Sequence, residues 1–122
     1  MAIQESGEMY LEAIYVLSQK SSGVHAVDVG QHLGYSKPSV SRALGILKSQ
    51  QFLTVDEDSH IHLTEQGLAV AKKIYERHTL LSRLLIGWGV PAEIANADAC
   101  RMEHAISDES LEAIKKYLEK GE

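Results

Sequence analysis

Apolar residues recur at helical spacing along most of the chain and alternate in one short stretch, a pattern that predicts a mainly α protein with a small β element. Over residues 4–19, Met9, Leu11, Ala13, Ile14, Val16 and Leu17 build a helical apolar face, and Ser21-Ser22-Gly23 ends it. A short helix is expected over residues 26–33, with Val27, Val29 and Leu33 as its apolar positions and Gly34 closing it. Ser36 then stands as the N-cap of a helix running to Gln50. Pro38 falls in its first turn, where a missing N–H costs nothing, and Val40, Leu44 and Leu47 supply its buried stripe.

The pattern then changes period. Phe52-Leu53-Thr54-Val55 and His60-Ile61-His62-Leu63-Thr64 are β-rich runs flanking the polar turn Asp56-Glu57-Asp58-Ser59, which reads as a hairpin. His60 and His62 alternate along the second strand and face one side; they read as two exposed histidines, with a metal pair as the alternative. Thr64 caps a long helix over 65–87 that carries Ala69, Ile74, Leu80, Leu81 and Leu84. A further helix runs from Pro91 to Ala105. Ser107 caps the last one, which extends to Lys120 with Asp108 and Glu109 in its first turn, where the helix dipole favours negative charge.

Helix, helix, tight turn, helix, hairpin is the order of a winged helix-turn-helix, expected over residues 1–64. A helical domain follows over 65–122, with the long helix 65–87 linking the two. Ser36, Lys37, Pro38, Ser39, Ser41 and Arg42 cluster at the N-terminal end of the third helix, the end that enters the major groove in such folds. Arg42 suits a bidentate guanine contact, and the serines suit bases or phosphates. A plain helical hairpin in a small α domain is the competing reading of residues 26–50.

Charge complicates the picture. Twelve basic against seventeen acidic residues give a net charge of −5, awkward for a partner whose phosphates dominate affinity, so a local basic stripe must make the contact. No apolar run approaches the roughly 20 residues that span a bilayer, the N-terminus lacks a signal-peptide pattern, and Cys100 is the single cysteine. A cytoplasmic protein without disulfides or membrane partner is expected.

Candidate metal chemistry lies near the C-terminal end. In Cys100-Arg101-Met102-Glu103-His104, the cysteine, glutamate and histidine stand at i, i+3 and i+4, so a continuous helix projects all three from one face. Thiolate, carboxylate and imidazole together suit borderline divalent metals rather than magnesium or calcium. A core cysteine beside an exposed Glu-His pair is the alternative. Met9 and Glu12 share a face of the first helix, although Met9 alone reads as core filler and His78 alone as structural.

Glu8-Met9-Tyr10-Leu11-Glu12-Ala13-Ile14-Tyr15, Leu63-Thr64-Glu65-Gln66-Gly67, Arg77-His78 and Ala99-Cys100-Arg101-Met102-Glu103-His104 occur in an order that resembles the diphtheria-toxin-repressor family of iron-dependent repressors and manganese transport regulators. The resemblance covers nearly the whole chain. It implies a homodimeric winged-helix repressor, acting on a palindromic double-stranded DNA operator, whose metal site joins the first helix to the dimerisation helices. By position, Met9, Cys100, Glu103 and His104 match the primary site of the iron-dependent members. His78 matches a histidine of both branches, and Glu12 a ligand of the manganese branch. Met9 and Cys100 replace the aspartate and glutamate of the manganese members, which softens the site toward Fe(II), Co(II), Ni(II) or Zn(II) and away from Mn(II). Ser82 and Asn96 stand where iron-type members carry a glutamate and a histidine of a second site, and a short form without their SH3-like third domain is expected. Fe(II) is the expected cofactor and metal homeostasis the expected role. A metal-dependent enzyme is disfavoured because no phosphate loop or H-E-x-x-H string is present. A metal-independent winged-helix regulator, or a redox sensor using Cys100, is the remaining alternative.

Overall fold

The computed structural model describes residues 5–121. The elements run α1 (Glu5–Lys20), α2 (Ala26–Leu33), α3 (Lys37–Ser49), β1 (Leu53–Val55), β2 (Ile61–Leu63), α4 (Glu65–Gly87), α5 (Ala92–Met102) and α6 (Asp108–Gly121). Two compact units, Met1–Lys72 and Lys73–Glu122, divide within α4.

In the first unit, Leu11, Ile14, Val29, Val40, Leu47, Leu53 and Ile61 are buried in one apolar cluster. Each such side chain contributes about 2 kcal/mol by leaving water. Val27, expected on the apolar face of α2, is exposed instead, because Val29 and Gly30 take the buried side of that short helix. Gly34 ends α2 in the left-handed region (φ 75°), a conformation open to glycine at no steric cost, and its N–H and that of Tyr35 both donate to the Gly30 carbonyl. Ser36 then caps α3: its hydroxyl accepts from the Ser39 N–H at 3.4 Å, with proline in the first turn. The residue expected to start α1, Gln4, lies outside the described residues.

The hairpin is antiparallel, with Leu53 opposite Leu63, Thr54 opposite His62 and Val55 opposite Ile61. The Ile61 N–H also donates to the Val24 carbonyl at 2.8 Å, which fixes the hairpin to the segment before α2. Thr64 begins α4 as expected. Its hydroxyl accepts from the Gly67 N–H at 3.0 Å and donates to the Gln51 carbonyl at 2.8 Å. Gly67 is required here by close approach, since a Cβ would stand 1.9 Å from the Phe52 carbonyl oxygen. The Leu63-Thr64-Glu65-Gln66-Gly67 string therefore encodes a helix cap and a packing contact.

In the second unit, Leu80, Leu84, Leu111 and Leu118 form the apolar cluster that packs α4 against α6. Ala69, expected among the apolar positions of α4, is exposed, while Ala71 and Ile74 are buried. The helix from Pro91 ends at Met102 rather than Ala105. A side chain from α4 accounts for the early stop: Arg77 donates to the carbonyls of Glu103 (3.0 Å) and Ile106 (2.8 Å), giving partners to groups just past the helix end. Its Nη2 pairs with Asp108, to which Lys73 also bonds at 3.3 Å. The Asp108 carboxyl is held below its usual range, first by Arg77 and then by Lys73. Leu111 belongs to this core, whereas Trp88 (65% exposed) and Ile94 (53% exposed) stay open to solvent.

Candidate metal centre and nucleic-acid interface

The residues expected to meet DNA lie in the first unit; those expected to bind metal divide, Met9 and Glu12 in the first unit and His78, Cys100, Glu103 and His104 in the second. On the first, Ser36, Lys37, Pro38, Ser39, Ser41 and Arg42 are all exposed, while Val40, Leu44 and Leu47 turn inward. That division follows from helical periodicity, which leaves the capped end of α3 free to meet a ligand. Lys37, Arg42 and Lys48 give α3 a charge of +3 with no acidic residue, a local excess of positive charge set against the net charge of −5. The helix dipole adds positive potential at the same end.

On the second unit, the centre of interest is Glu103. It is the residue just past α5, still in right-handed helical conformation (φ −62°, ψ −24°), with its N–H bonded to the Ala99 carbonyl at 2.9 Å. The residue is 0% exposed. One carboxylate oxygen, Oε2, lies 2.9 Å from His78 Nδ1; the other, Oε1, lies 3.4 Å from His104 Nε2. The second approach satisfies the distance for an ion pair but not the geometry of a hydrogen bond, and Oε1 accepts no hydrogen bond among the described residues. The His104 side chain is 2% exposed and that of His78 24%.

Withdrawing an ionised carboxylate from water costs several kcal/mol unless charge and hydrogen bonds offset it. Glu103 has one strong imidazole contact and one oxygen still in want of a partner. Two imidazoles and a carboxylate are donors for borderline divalent metals, and about 3.4 Å is also the spacing of two ligand atoms on one tetrahedral ion with bonds near 2.1 Å. The donor chemistry of these residues therefore suits a divalent cation.

His78, Glu103 and His104 are thus brought together. Cys100 is half-buried on α5, one turn before Glu103. Because α5 stops at Met102, His104 follows in a turn rather than on the continuous helix that placed it beside Cys100 and Glu103. Met9 and Glu12 are both half-buried on α1, in the other unit. Ser82 and Asn96, which the resemblance sets at second-site positions, bond each other: the Ser82 hydroxyl donates to Asn96 Oδ1 at 3.0 Å. Both groups are neutral at that place and spend their donor and acceptor on one another.

Sequence reasoning missed two features. Arg77 supports the backbone on either side of the turn after α5, and its only signal was its place in the Arg77-His78 string. The hairpin turn proved more organised than a polar loop: Asp56 Oδ1 accepts from the N–H groups of Asp58 (2.9 Å) and His60 (3.0 Å), and Oδ2 lies 2.8 Å from His62 Nε2.

Comparison with known proteins covers both units. Residues 2–61 match the family model described as iron dependent repressor, N-terminal DNA binding domain, and residues 64–122 match iron dependent repressor, metal binding and dimerisation domain. The chain is 34% identical over 115 residues to the iron-dependent repressor IdeR of Mycobacterium tuberculosis H37Rv, an alignment covering 93% of this chain and 50% of that protein. It is 32% identical over 111 residues to the transcriptional regulator MntR of Escherichia coli O157:H7, covering 91% and 72% respectively. The fold is similar to that of the manganese regulator SloR, with TM-score 0.84, 26% identity, and coverage of 98% of this chain and 55% of that one. The chain spans about half the length of the IdeR relatives it matches.

Proposed function

The chain belongs to the iron-dependent repressor family, and from that premise we propose that it is a metal-dependent transcriptional repressor that acts by binding rather than catalysis. The observation that carries this reading is Glu103, a fully buried carboxylate facing two histidines, one oxygen of which accepts no hydrogen bond among the described residues.

His78, Glu103 and His104 hold the cation, and Met9, Glu12 and Cys100 are the further ligands that family position assigns. The bound cation supplies the positive charge that offsets burial of Glu103. Arg77 keeps the turn after α5 in place and so aims the Glu103 side chain. At the other end of the chemistry, Ser36, Lys37, Pro38, Ser39, Ser41 and Arg42 meet the major groove of double-stranded DNA. Lys37 and the serines position the helix on phosphates, and Arg42 reads a base edge.

A single recognition helix reads only a few base pairs, so the operator is palindromic and the repressor a homodimer. Trp88 and Ile94, exposed beside a well-filled core, are the apolar residues that a second copy covers. Among the described residues no helix is long and apolar enough to cross a membrane, in keeping with a cytoplasmic site of action.

Fe(II) is the metal that the soft donors Met9 and Cys100 favour. Mn(II) is the second reading: Glu12 and His78 are donors of the manganese branch, and the Ser82–Asn96 bond leaves the iron-type second site without its ligands. Anaerobic operator binding compared across Fe(II), Mn(II), Co(II) and Zn(II) tests both. Tight binding only with metal, strongest with Fe(II), is expected. Equal affinity without metal overturns the repressor reading, and a preference for Mn(II) overturns the choice of iron.

A further inference from the structure

The hairpin turn gathers donors that the centre around Glu103 does not use. Oxygen and nitrogen donors of Asp56, Asp58 and His60 all lie within 4.8 Å of one another. Asp56 Oδ2 also lies 2.8 Å from His62 Nε2 and 3.7 Å from His60 Nδ1. We propose that the wing carries a second divalent-metal site, formed by Asp56, Asp58, His60 and His62, for a borderline cation of the zinc, cobalt or nickel kind.

Preorganisation is the first support. The Asp56 carboxylate is oriented before any ion arrives, because Oδ1 caps the turn through two backbone N–H groups and leaves Oδ2 facing both imidazoles. The His60 ring is equally constrained. It packs edge-on to His25 with centroids 4.6 Å apart and covers Gly23, where even a Cβ would stand 2.7 Å from its Nε2. Side chains locked in this way lose little further freedom on binding a ligand.

The spacing is the second support. Two ligand atoms on one tetrahedral ion with bonds near 2.1 Å stand about 3.4 Å apart. The observed 2.8 Å and 3.7 Å bracket that value, so each contact adjusts by only a fraction of an ångström. Two imidazoles and two carboxylates without a thiolate form a harder set than one containing Met9 and Cys100, and imidazole selects against magnesium and calcium.

Charge is the third. Asp56, Glu57 and Asp58 place −3 on a hairpin of the DNA-binding half; a divalent cation reduces that to −1. Relief of phosphate repulsion at the wing then follows, a consequence that rests on the repressor reading above. The site itself does not depend on that reading.

Anaerobic Co(II) titration of the full chain is the test, read by stoichiometry and visible absorption. Wild type is expected to take one saturable equivalent more than His60→Gln/His62→Gln. That equivalent should add ligand-field absorption without a thiolate charge-transfer band, whatever happens at Cys100. Asp58→Asn, which alters no hydrogen bond of the turn, should weaken the same equivalent and keeps the test decisive if the double variant folds poorly. Equal stoichiometry and equal spectra for wild type and both variants overturn the proposal.

Discussion

Two clusters in this chain set histidines against a carboxylate, and burial makes them different objects. Around Glu103 the carboxylate is fully withdrawn from water, and its neighbours His78 and His104 are largely so. Around Asp56 the carboxylate and both imidazoles are substantially exposed. Water screens the wing cluster, so its electrostatics tune a titration and contribute little to stability. Around Glu103 the same chemistry is unscreened, and an unmet charge there is costly enough to be coupled to folding or ligand binding. Buried donors suit a switch; exposed ones suit an accessory site.

The contrast can be broken most severely at Arg77. Arg77→Ala removes the donors to the Glu103 and Ile106 carbonyls and the pair with Asp108, and should cost about 3 kcal/mol of stability, as expected when buried acceptors lose a charged partner. Urea denaturation measures this, and a loss below about 0.5 kcal/mol would mean that the turn after α5 is held by something else. Glu103→Gln comes next. It preserves shape while removing the charge, and should abolish metal-stimulated operator binding, a loss of about a hundredfold if free metal stands about one hundred times above its dissociation constant. Fluorescence anisotropy with labelled operator reads the difference; an undiminished metal response contradicts the role of Glu103.

Ser82→Ala should be milder. It deletes one neutral hydrogen bond to Asn96 and costs about 1 kcal/mol. Metal stoichiometry should not change if the two residues serve only each other, and a lost equivalent would show that a second centre survives there.

The smallest effect is a titration. The His62 hydrogen bond, helped by the His60 and Asp58 N–H groups and the His60 charge, holds the Asp56 carboxyl down at about 2. A depressed carboxylate stabilises the folded state above its ordinary pKa, and that contribution is lost as pH falls toward about 2. NMR titration of His62→Gln should find the Asp56 midpoint moved up toward the ordinary range. An unmoved midpoint would leave the backbone donors as its cause.

Local signals made the first unit readable. Gly34, the Ser36 cap and Pro38 specify the turn and the start of α3 through interactions within a few residues. Thr64 announced α4 in the same way, although the reason for Gly67 depends on Phe52, fifteen positions earlier. Where tertiary contacts decide, sequence pattern failed. The early end of α5 is dictated by Arg77 on a different helix, and Val27 is exposed because α2 has room to bury only one side. His78 and Glu103 are twenty-five residues apart, a pairing no periodicity reveals; family position marked both as ligands but did not pair them. The alternation of His60 and His62 was visible, but not that Asp56 reaches across the hairpin to both.

The central claim is that metal and operator bind with mutual benefit, and such coupling is reciprocal by thermodynamic necessity. Its most direct measurement is the Fe(II) affinity of the full chain, under anaerobic conditions, with and without an operator selected from random duplex DNA. The account predicts that operator tightens Fe(II) binding by the same factor by which Fe(II) tightens operator binding, and that Glu103→Gln removes both. An Fe(II) affinity indifferent to operator would contradict it.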